Sequence, residues 1–68
     1  MDHFKLFKIN GQQILAERYY DGDDDQILIV KYVPELGSRV EYAITYNDEK
    51  ERDIAFDNLN ETNIESYM

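Results

Sequence analysis

The sequence predicts an α+β domain in which four antiparallel strands, joined in meander order, carry one C-terminal helix on one face. Three observations support this prediction. Aromatic and β-branched residues are frequent in the first two-thirds of the 68-residue chain, and such side chains favour strands. The pair Asn10-Gly11 is the strongest short-range signal for a β-hairpin. After residue 47 the apolar residues adopt helical spacing, and a helix-capping pattern precedes them.

The first hairpin is predicted from strands 4–9 and 12–20, which flank Asn10-Gly11. A type I′ turn needs a positive φ angle at both central residues, and Asn and Gly tolerate it best. A two-residue turn also sets the register. The apolar residues that then face each other are Phe7 with Ile14 and Leu6 with Leu15. Because these two pairs lie on opposite faces, the hairpin is apolar on both sides.

The third strand, 26–33, is also apolar on both faces. Successive side chains of a strand point to opposite faces. The two sets are Ile27, Ile29 and Val33 on one face, and Leu28, Val30 and Tyr32 on the other. A strand of this composition expects cover on both faces, and 68 residues provide little material for two layers. We therefore expect the second layer to come from a copy of the chain or from another protein.

Two connections and a fourth strand complete the predicted sheet. Residues 21–25 read Asp-Gly-Asp-Asp-Asp and form a turn, because their carboxylates repel one another and favour water. Residues 34–38 form the second connection, since Pro34 cannot donate a hydrogen bond to a sheet. Strand four, 39–46, alternates between apolar and polar residues and looks half-buried. Its apolar face carries Val40, Tyr42, Ile44 and Tyr46.

A helix is predicted over about 48–60. Asp48 and Glu51 resemble a capping box, and acidic residues in the first turn suit the positive end of the helix dipole. The apolar stripe of Ala55, Phe56 and Leu59 should meet Val40, Tyr42 and Ile44 of strand four. The tail, 61–68, either forms a short turn or lies extended against the sheet. The uncovered sheet face should carry Phe4 or Phe7, together with Leu15, Leu28, Val30 or Tyr32.

Composition bounds the possible functions. The chain predicts a single domain, 1–68, and the absence of cysteine excludes disulfides and thiolate chemistry. Fifteen acidic and seven basic residues give a net charge of −8, which disfavours direct binding to nucleic acid or to an anionic membrane. No apolar run approaches the roughly 20 residues of a membrane span, and no signal peptide is evident. We expect a soluble cytoplasmic protein.

The sequence predicts no catalytic, cofactor or metal site. The aspartates at 21, 23 and 25 resemble the first ligands of a calcium-binding loop, but Gln26 and Tyr32 stand where that motif needs glycine and glutamate. His3 is the only histidine, and the three glycines lie in separate turns rather than in a phosphate-binding loop. We therefore expect a protein that is not an enzyme.

The leading hypothesis is a non-enzymatic, acidic protein–protein interaction module. In its sharper form, carboxylates along the helix imitate phosphates and block a basic nucleic-acid-binding surface of a host protein, as an inhibitor from a phage or mobile element would. The alternative is a structural homodimer whose acidity serves only solubility. Ordinary cross-strand packing and a solvated helix face are the simpler interpretations of the same residues. The candidate partner-binding residues are Leu28, Val30, Tyr32, Asp53, Asp57 and Glu61.

Overall fold

A four-stranded antiparallel sheet with one helix packed against it confirms the predicted α+β meander. The structure is a computed structural model, and it describes residues 3–33, 35 and 37–67. The strands run in the order β1-β2-β3-β4 across the sheet. Their bounds are Phe4–Ile9 for β1, Gln12–Tyr20 for β2, Asp25–Val33 for β3 and Ser38–Tyr46 for β4. Helix α1 spans Glu49–Asp57, and a short 3₁₀-helix spans Ile64–Tyr67.

The first hairpin has the predicted turn and register. Asn10 and Gly11 have φ angles of 51° and 79°, the left-handed values that a type I′ turn requires. Phe7 lies opposite Ile14, as the two-residue turn predicts.

The Asp-rich turn between β2 and β3 is stabilised by its first aspartate. The Asp21 carboxylate accepts hydrogen bonds from two backbone N–H groups within the turn, which lowers its pKa.

Helix α1 begins as predicted and ends earlier than predicted. Asp48 is the N-cap, and its carboxylate accepts a hydrogen bond of 2.7 Å from the backbone N–H of Glu51. The helix ends at Asp57 instead of residue 59 or 60, because asparagine side chains compete for the backbone beyond it. The Asn60 side chain accepts from the Asn63 N–H at 3.0 Å, and the Asn63 side chain accepts from the Asn60 N–H at 2.9 Å. This reciprocal pair precedes the 3₁₀-helix.

The core lies between one face of the sheet and the helical segments. Its buried residues are Phe7, Ile14, Ala16, Ile27, Ile29, Phe56, Leu59 and Ile64. Helix α1 packs across β2, β3 and β4. Tyr42 and Ile44 border this core, as expected. The tail forms the short turn of the two predicted alternatives, and it places Ile64 in the core with no exposed surface.

Candidate interaction surface

Strand β3 has one covered face and one uncovered face. Ile27 and Ile29 are completely buried beneath the helical segments. Leu28 and Val30 point to the opposite side and are half-buried, and Tyr32 on that side is 55% exposed. Among the residues that the structure describes, no helix packs on this side of the sheet. We call it the open face. The structure thus places three of the candidate partner-binding residues together on one surface.

Cross-strand pairing extends this apolar surface over three strands. Leu6 of β1 lies opposite Leu15 of β2, which lies opposite Val30 of β3. Leu6 is 59% exposed and lines a shallow groove with Leu15, Val30, Tyr32 and Gln13. We use the term apolar patch for six residues of these three strands on the open face, which are Phe4, Leu6, Leu15, Leu28, Val30 and Tyr32.

Three members of the apolar patch, Phe4, Leu6 and Leu15, were not among the predicted partner-binding residues, although Leu15 was expected on this face. Phe4 is 61% exposed on the open face, while Phe7 joins the core, which decides between the two phenylalanines considered from sequence. Leu6 lies at the centre of the uncovered surface of β1. The two-residue turn at Asn10-Gly11 sets the register that pairs Leu6 with Leu15. That turn was therefore the sequence signal that places Leu6 on the same face as Leu15.

The charged side chains that the described strands place on the open face cancel one another. Alternation along the described strands places four charged side chains on it: Lys8, Glu17, Arg39 and Glu41. Arg39 and Glu41 are exposed neighbours 3.6 Å apart, a contact that contributes little stability in water. Within the described strands, two basic side chains on this face therefore balance two acidic ones.

The sequence predicted that Asp53 would be one of the outward-facing carboxylates of the helix, but the structure places it against two arginines. Its Oδ1 instead accepts hydrogen bonds from Nη1 of Arg18 at 3.1 Å and from Nη2 of Arg52 at 3.0 Å. Burial raises the pKa of this carboxyl, but the two guanidinium groups outweigh burial and lower the pKa below its ordinary value of 3.8. The Asp53 carboxylate thus joins the helix to β2.

Arg52 extends this ionic cluster to the end of the sheet. Its Nη1 donates to Oδ1 of Asp25 at 3.2 Å and to the carbonyl oxygen of Tyr19 at 3.3 Å. Helical periodicity places Arg52 at the margin of the apolar stripe, yet only 7% of the residue is exposed. A buried guanidinium with several acceptors holds the segments that carry those acceptors together. Removing any one acceptor would leave the buried positive charge of Arg52 poorly compensated.

The remaining candidate carboxylates, Asp57 and Glu61, are exposed on the helix side of the molecule. Glu49 and Glu51 are exposed there as well. In the described ranges, no group of three or more histidine, aspartate or glutamate residues is placed to hold a metal ion. His3 is exposed. The helix side therefore offers negative charge without an organised ligand set.

Comparisons with protein-family models, with curated proteins and with solved structures found no match to this chain. Within residues 3–33, 35 and 37–67, no helix has the length and apolar character needed to cross a membrane. The surfaces of the molecule therefore provide the basis for assigning a function.

Proposed function

We propose that this protein is a non-enzymatic protein–protein interaction module that contacts its partner through the open face. One observation carries the proposal: Phe4, Leu6 and Tyr32 expose more than half of their surface on one side of the sheet, around half-buried Leu15 and Val30. Contiguous apolar surface of this kind marks interaction sites in proteins. Tyrosine and phenylalanine are also enriched at interfaces.

The energy available from the apolar patch is sufficient for specific binding. Burying a Leu or Phe side chain stabilises by about 1.5–3 kcal/mol, so covering the exposed part of each residue contributes about 1–2 kcal/mol. Leu6 and Leu15 lie side by side, and their neighbours across the sheet are also apolar. Such a cluster provides the dry centre that interfaces need, while Lys8 and Glu41 provide a polar rim.

The charged form of the hypothesis has less support. An inhibitor that blocks a basic nucleic-acid-binding surface would need a row of free carboxylates along the helix. Asp53 pairs with two arginines, which leaves Asp57 and Glu61 of the three predicted residues. An acidic surface is also what keeps a small protein soluble.

Leu6→Lys tests the proposed function, and Ile54→Lys is the matched control. Leu6 and Ile54 are both apolar and are 59% and 54% exposed, but Ile54 lies on the helix, away from the open face. Tagged wild type and both variants are used to capture partners from a cell lysate supplemented with the untagged chain. We expect Leu6→Lys to lose a partner that Ile54→Lys retains. Wild type that captures neither a lysate protein nor the untagged chain would refute the proposal.

A further inference from the structure

We infer that the occupant of the open face is a second copy of this chain, bound sheet to sheet in a two-fold dimer. This inference rests on the proposed function and specifies its partner. Each copy would place α1 on the outside and its open face against the other sheet. The result is a four-layer arrangement of helix, sheet, sheet and helix, in which the apolar patch of each copy covers that of the other.

Charge is the first reason to expect a second copy. Two chains of net charge −8 repel each other, so contact costs least where the local charges are balanced. The open face is such a place, because Lys8 and Arg39 balance Glu17 and Glu41 on it. A strongly basic partner would find no net negative charge there to attract it.

The layered arrangement also keeps the acidic helices apart. Packed sheets lie about 10 Å from each other, and a helix layer lies about another 10 Å beyond each sheet. The exposed carboxylates of the two helices would thus be separated by about 30 Å. The Debye length at 0.1 M salt is about 10 Å, so repulsion across that distance is largely screened.

Area is the second reason. Four strands about 4.8 Å apart, with nine residues in each of β2, β3 and β4, span about 19 by 30 Å. Allowing for the shorter β1, the footprint is about 500 Å² per copy, or about 1,000 Å² in total. That is close to the minimum for a specific interface. The dimer is therefore expected to be weak and reversible, with a dissociation constant in the micromolar range.

Self-complementarity is the third reason. A two-fold interface uses the same surface on both copies, so that surface must be compatible with itself. The open face meets this condition, since its apolar patch adjoins side chains of both charge signs. A closed two-fold pairing also buries the apolar patch on both copies at once and leaves neither open face available for further association.

Sedimentation velocity from about 1 μM to about 1 mM tests the inference, because this range brackets the dissociation constant of a small interface. We expect wild type to change from monomer to dimer as concentration rises. Leu6→Lys should raise the dissociation constant at least tenfold, and Ile54→Lys should leave it within twofold. Circular dichroism establishes that both variants are folded. High salt should preserve or strengthen the dimer, because screening reduces repulsion while apolar burial persists.

Three results would overturn the inference. One is a wild-type monomer throughout the concentration range. The second is a dimer that dissociates in high salt, as charge-driven binding does. The third is a dimer that Leu6→Lys does not weaken, since such a dimer would form through an edge strand instead of the open face. A monomeric chain that still captures a lysate protein in a Leu6-dependent manner would leave the proposed function standing and exclude the second copy alone.

Discussion

Replacement of Lys5 by methionine should lower the free energy of unfolding by about 2–3 kcal/mol. Lys5 lies on β1, and its ammonium group caps the C-terminal end of α1. Its Nζ donates to the carbonyl oxygens of Phe56 at 2.7 Å, Asp57 at 3.2 Å and Leu59 at 3.3 Å. The last turn of α1 has no basic residue of its own, so Lys5 supplies the positive charge that the helix dipole favours there.

The expected magnitude comes from these contacts. Hydrogen bonds from a charged donor contribute about 1.5–3 kcal/mol net, and the favourable position at a helix end contributes about 0.3–1 kcal/mol. The ammonium also lies 5.0 Å from the centre of the Phe56 ring, where a cation–π contact adds about 0.5–1 kcal/mol. These contributions overlap and do not add fully. Methionine retains most of the apolar stem of Lys5, so the substitution isolates the charge.

Urea unfolding, followed by circular dichroism at low micromolar protein concentration, measures the loss. A urea dependence of about 1 kcal/mol per molar, typical of so small a domain, converts 2–3 kcal/mol into a midpoint lowered by about 2–3 M. Lys8→Met is the control, because Lys8 lies on the same strand but is exposed on the open face. It should change stability by less than about 0.5 kcal/mol. Equal losses for the two variants would refute the role assigned to the Lys5 charge.

Three further predictions concern the tail, the ionic cluster and the open face. Ile64→Ala should destabilise by about 2–4 kcal/mol because Ile64 is completely buried, whereas Ile54→Ala at a 54% exposed position should cost less than about 1 kcal/mol; equal urea midpoints would contradict the packed tail. Because the pKa of Asp53 is lowered in the folded state, its ionised carboxylate contributes fully to the free energy of unfolding above about pH 5. That contribution is lost as pH falls through the ordinary value of 3.8 and below it. Asp53→Asn should therefore be less stable than wild type at pH 7, and the difference should shrink by pH 2; a constant difference in urea midpoint would exclude this linkage. Because the chain has no cysteine, Tyr32→Cys should form disulfide-linked dimers under mild oxidation more readily than Ile54→Cys, as non-reducing electrophoresis would show; equal yields would count against contact through the open face.

The sequence predicted the elements that local chemistry controls. The turn at Asn10-Gly11 needs only two residues that tolerate a positive φ angle, and its length sets the register of Leu6 with Leu15. The N-cap at Asp48 depends on one carboxylate and a backbone N–H three residues away. Alternation along 26–33 was sufficient to assign Leu28 and Val30 to the opposite face from Ile27.

Neither the last residue of the helix nor the ion-pair partners of its charged side chains could be predicted in this way. Periodicity continued the helix to Leu59, but reciprocal asparagine bonds at residues 60 and 63 redirect the chain after Asp57. The partners of Asp53 illustrate the larger difficulty. Arg52 is adjacent in sequence, yet Arg18 is 35 positions away, and nothing in either local pattern distinguishes a paired aspartate from a solvated one.

Sequence alone determined the four strands, the helix start and the two-sided apolar character of β3, because each follows from dihedral preference and side-chain alternation over a few residues. Tertiary structure decided between the two phenylalanines, since Phe7 is buried in the core while Phe4 remains exposed on the open face. It also brought Lys5 to the end of α1 and Arg52 to the Asp25 carboxylate. The physical reason is that these contacts join residues 27–54 positions apart, and only the packed chain brings such distant groups within hydrogen-bonding distance.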